Sequence, residues 1–127
     1  MIDTWVSVGA VPELAEIVAN IIIAEPVANA EWIAKWQARP KELLAEPGRC
    51  LLSRDDIRGR LAEITCPALV VHGTDDTAIT MEQAEELAAG LVGCGGVVKV
   101  GGAHAANLTN PEPVNAAILE FLAGLPA

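Results

Sequence analysis

The sequence runs to 127 residues, 52% of them hydrophobic and 20% charged, with a formal net charge of −9. That length allows one domain with a modest core, and the composition excludes a disordered chain. The acidic balance, without any Lys/Arg cluster, argues against nucleic acid and membrane as partners, and Ile21-Ile22-Ile23, the longest run of large apolar residues, is too short to span a bilayer.

In chain order, the segment from Pro12 to Glu25 puts Leu14, Ile17, Val18, Ile21 and Ile22 on one helical stripe. Pro12 suits the first turn and Pro26 stops the helix. A second helix is predicted from about Asn29 to Ala38, with Trp32 and Trp36 at i, i+4. Pro40 and Pro47-Gly48 divide the next piece into a short helix near Leu43 and another from Arg49 to Ser53. Trp5, Trp32 and Trp36 suit either a substrate lid or ordinary core. Asp55 to Ile64 reads as a short charged helix that packs Ile57, Leu61 and Ile64 on the sheet.

Pro67 to His104 organises the rest. Ala68-Leu-Val-Val71 is apolar at every position, as in a strand covered on both faces. Thr80 and Gln83 form a capping box for a helix that buries Met81, Ala84, Leu87, Ala88 and Leu91. A second strand spans Gly96 to Val100, and its lysine suits a sheet edge. Two strands around a crossover helix predict a parallel βαβ unit. Ligands of open α/β sheets sit beyond the carboxyl ends of the strands, where Asp75, Asp76 and His104 fall. The last helix opens with Asn110 as cap and Pro111, and buries Val114, Ala117, Ile118, Phe121 and Leu122.

The run Cys66-Pro-Ala-Leu-Val-Val-His-Gly-Thr-Asp-Asp76, then Gly102-Ala-His104, then Asn110-Pro-Glu-Pro-Val-Asn115, resembles the C-terminal part of an α/β-hydrolase, of the enol-lactonase and esterase branch. The resemblance implies an α/β fold in which residues 56–127 form a core segment and residues 1–55 a helical cap or lid. It also places the catalytic acid on Asp76, through Gly73-x-x-Asp76, and the catalytic histidine on His104. Asp75 is the second candidate for the acid. It implies hydrolysis of an ester or enol-lactone, a small-molecule substrate and no cofactor.

The chemistry asks for three groups. A carboxylate at one ring nitrogen holds a histidine's tautomer, and the other nitrogen takes the proton of a nucleophile. Against that role, Asp76 is also a natural turn aspartate and His104 a natural loop histidine. No nucleophile is evident: Ser7 and Ser53 are the only serines, and neither lies in Gly-x-Ser-x-Gly. The family's N-terminal half, with that elbow and the oxyanion loop, is absent from the sequence. The serine and oxyanion donors are therefore expected from outside this chain, and the unpaired edge of the first strand from Ala68 calls for a second copy or an N-terminal hydrolase half. The contrasting expectation is a non-catalytic fragment that serves as an oligomeric or interaction subunit. His72 reads as a satisfied core histidine. A metal held by His72, Asp75, Asp76 and His104 matches no hydrolytic motif and is not expected. Cys50, Cys66 and Cys94 lack CxxC spacing, so free thiols are expected. No charged-then-apolar leader opens the sequence, so the expected location is the cytoplasm.

Overall fold

The computed structural model describes residues 2–126. The chain divides into two compact units, Met1–Asn20 with Ala24–Asp56, and Ile21–Ile23 with Ile57–Ala127.

The first unit is helical: α1 Ile2–Val8, α2 Pro12–Ile22, α3 Pro26–Gln37 and α4 Glu42–Leu52, the end of α2 belonging to the second unit. The helix α1 was not expected. Its neighbour α2 buries Ala15 and Ala19, whereas Ile17 is exposed. Small side chains let the backbone approach its neighbours closely, and the bulkier Ile17 lies off that stripe. Ala24 takes a positive φ of 57°, a conformation that halts a helix, so α2 ends before Pro26 instead of at it. Pro26 opens α3, because Glu25 caps it by accepting from the amides of Val27 and Ala28. The two short helices expected around Pro47 are one. Pro47 lies inside α4 and supplies no N–H to the preceding turn, a defect the helix absorbs. Trp5 meets Trp36 edge-on at 5.4 Å, and Trp32 tilts against Trp36 at 6.3 Å.

The second unit is the predicted βαβ. Strand β1 (Ala68–Gly73) runs parallel to β2 (Cys94–Val100), and helix α5 (Met81–Gly90) crosses between them. The two strands form one sheet among the described residues. Val70 packs on Ala84 and Ala88 of α5. Val71 packs with Val100, Ala106 and Val114, from α6 (Ala106–Thr109) and α7 (Pro111–Ala123). Both faces of β1 are therefore covered, as its apolar run requires. The strand β2 begins two residues earlier than the valine run suggests. Between Ala68↔Cys94 and Val70↔Val97 it holds an extra residue, and Gly96 at φ 116° takes up that bulge.

Thr80 and Gln83 form the expected capping box. Leu87 is exposed, however, as are Ile118 and Leu122 of α7, so alanines and valines carry the core of this unit. The segment before β1 is a 3-10 helix, Arg58–Glu63, that buries Leu61 only. Leu61 lies over Gly90 of α5, so this segment covers the crossover helix. Asn110 stands at the cap of α7 without capping it. Its side chain donates instead to the Gly101 carbonyl, at the start of the loop that carries His104.

Candidate active site

The carboxyl ends of β1 and β2 are stitched together beyond the last ladder pair, Gly73↔Val100. Thr74 N–H donates to the Val100 carbonyl at 2.8 Å and Asp75 N–H to the Gly102 carbonyl at 2.9 Å. Glycine is needed at two points of this junction. A Cβ on Gly73 would stand 2.4 Å from the carbonyl oxygens of both Gly102 and Ala103, and Gly102 itself holds φ 127°. From there the loop is anchored by Ala105 N–H, which donates to the Ile22 carbonyl at 2.7 Å. Sheet geometry and these backbone bonds bring the two loops onto one rim.

There Asp76 and His104 meet, with Oδ2 of the acid 2.9 Å from Nδ1 of the imidazole. The Asp76 carboxylate is 3% exposed and the His104 ring 42%. Oδ1 accepts from the amides of Ala78 at 2.8 Å and Ile79 at 3.0 Å. Burial pushes the Asp76 carboxyl up, but the Ile79 amide, His104 and the Ala78 amide outweigh it and hold it below the usual carboxylate range. The site therefore presents an ionised acid whose partner ring reaches solvent. Asp75 is exposed, and its amide is spent on Gly102. Of the two acids, Asp76 is the one bonded to the histidine.

A cavity of about 240 Å³ opens at this rim, lined by His72, Asp76, Ile79, His104 and Asn107 with apolar walls that include Val71 and Val114. Nδ1 of His104 is committed to Asp76, which leaves Nε2 as the nitrogen for proton transfer. His72 is 9% exposed, with Nε2 3.1 Å from the Ile79 carbonyl and 3.8 Å from Asp76 Oδ2. Its hydrogen bond is that of a satisfied core histidine. Its place beside Asp76 was not foreseen, because four residues of separation across a turn fix no direction in sequence. Among the described residues no group of three His, Cys, Asp or Glu side chains is arranged to hold a metal ion. Ser7 Oγ donates to the Thr4 carbonyl within α1, and Ser53 closes α4, both in the helical unit. Cys94 pairs with Ala68 at the opposite end of the strands from His104, a distance of roughly 20 Å at 3.3 Å per residue. Cys50, Cys66 and Cys94 are free thiols.

No family model matches the chain. Proteins named carbamate hydrolase RutD do. The one from Pseudomonas savastanoi pv. phaseolicola is 34% identical over 67 residues, 53% of this chain and 26% of that protein. The one from Agrobacterium fabrum is 42% identical over 72 residues, 57% of this chain and 27% of that protein. Among solved structures, the enol-lactonase from Burkholderia xenovorans superposes with a TM-score of 0.82 at 25% identity, over 96% of this chain and 48% of that one. A hydrolase from Pseudomonas aeruginosa gives 0.78 at 26% identity, over 98% and 49%. The fold is thus a partial α/β-hydrolase fold. The chain is similar to the C-terminal part of α/β-hydrolases, and it spans about a quarter of the curated relatives it matches and about half of the solved structures.

Proposed function

We propose that this chain supplies the histidine and the acid of a hydrolase that cleaves an ester or enol-lactone bond. The observation that carries this reading is the 2.9 Å contact between Asp76 Oδ2 and His104 Nδ1 at the mouth of an apolar cavity. His104 Nε2 removes the proton of an attacking hydroxyl as oxygen bonds to the carbonyl carbon. It then returns that proton to the departing oxygen. Asp76 fixes the tautomer and balances the imidazolium. The serine hydroxyl and the oxyanion donors come from polypeptide outside these 127 residues. Support comes from the enol-lactonase that shares the fold, and from relatives whose named reaction, carbamate hydrolysis, also begins at an acyl carbon.

p-Nitrophenyl acetate tests this with the pure chain. We expect slow turnover, far below that of a competent esterase, that His104→Ala removes. Fast turnover abolished by replacing Ser7 or Ser53 would overturn the assignment of an outside nucleophile. Turnover indifferent to His104 would overturn the role of the histidine.

A second reading rests on the edge of β1 that pairs with no strand among the described residues, together with exposed Ile118, Leu119 and Leu122 on α7. An unpaired strand and an apolar helix face favour association. In that reading the chain is an oligomeric or interaction subunit without turnover of its own.

A further inference from the structure

The mechanism above leaves His72 unused, yet its ring is almost wholly buried and lies at the acid. The Ile79 carbonyl, 3.1 Å from Nε2, can only accept, so Nε2 must carry the proton. The amide of that same residue, with that of Ala78, donates to Asp76 Oδ1. Ile79 is thus held from both sides, its N–H on the acid and its C=O on a side chain of β1. The separation of 3.8 Å from Asp76 Oδ2 is too long for a direct hydrogen bond, so His72 reaches the acid through the turn. We propose that His72 is a positioning residue: it clamps the Asp76–Ile79 turn to the strand and so fixes the carboxylate that orients His104. Its value for catalysis rests on the function proposed above, whereas the clamp itself does not.

Two variants separate the clamp from mere packing. His72→Phe fills the space without a donor, and His72→Gln restores an N–H at similar reach. Losing a hydrogen bond of ordinary strength should speed amide hydrogen exchange at Ala78 and Ile79 about fivefold in His72→Phe, and weaken the His104 Nδ1–H proton signal. The exchange of Val98 in β2 should not change, and His72→Gln should behave like wild type. Unchanged exchange at Ala78 and Ile79 would overturn the clamp. So would equal acceleration of Val98, or a Gln variant as impaired as the Phe variant. If His72→Phe does not fold, the long-range ¹H–¹⁵N spectrum of the wild-type ring decides: a proton on Nε2 is expected, and a bare Nε2 refutes the proposal. Hydrolysis that ignores His104→Ala would sink the proposed function while leaving these exchange results standing.

Discussion

Replacing Asp76 by asparagine changes one atom and most of the site's electrostatics. Oδ1 still accepts from Ala78 and Ile79, but those bonds fall from charge-assisted to neutral strength. Each loses roughly 1 kcal/mol, and the reversed contact with His104 a similar amount, so Asp76→Asn should cost about 2–3 kcal/mol at pH 7. For a chain of this size that is a drop of roughly 8–12 °C in Tm. The pH dependence has a definite sign. Burial raises the Asp76 carboxyl, yet Ile79, His104 and Ala78 outweigh it, so the folded chain holds this proton less tightly than the unfolded chain. The stability from the ionised acid is complete above an unfolded aspartate's pKa of about 3.9, and is lost as pH falls through the lower folded value. Asparagine has nothing to titrate. Thermal melts of both proteins from pH 7 to pH 3 should therefore show a gap that narrows in acid. A gap constant over that range, or none at pH 7, would refute the reasoning.

Gly73→Ala should destabilise the second unit by about 1–3 kcal/mol and displace the His104 loop, since the new Cβ has two carbonyl oxygens at 2.4 Å. A melt like wild type with the His104 Nδ1–H signal intact would contradict this. Thr80→Ala removes one side of the α5 capping box and should cost about 1 kcal/mol, read as a lower denaturant midpoint with unchanged slope. The pure chain should scatter light as a species larger than 13.2 kDa, because one edge of β1 pairs with no strand among the described residues. A stable interface needs about 1,000 Å² or more. A monodisperse monomer with sharp unfolding would overturn that expectation.

The second unit was the more legible in sequence. An apolar run, a capping box and a valine run state a βαβ directly, and the turns that follow each strand fall at one rim by topology alone. Local pattern carries less where packing decides. Pro47 ends a helix on propensity, but the structure continues through it, and Ala15 and Ala19 displace the larger Ile17 from the buried stripe. Asn110 has the right type for a cap, yet the loop carbonyl of Gly101 competes for its side chain and wins. The link from His72 to Asp76 needed the fold of the turn, because four residues of separation in a loop fix no direction.

In the proposed reaction His104, oriented by Asp76, acts as the general base for a nucleophile outside these 127 residues. The most direct test mixes this chain with the half of the Burkholderia xenovorans enol-lactonase that lies outside the matched region, and measures hydrolysis of an ester or enol-lactone. Turnover should rise far above the slow rate of this chain alone only in the mixture, vanish with His104→Ala, and fall by on the order of 10⁴ with Asp76→Asn. A mixture that binds stably and hydrolyses equally well with His104→Ala would contradict the account.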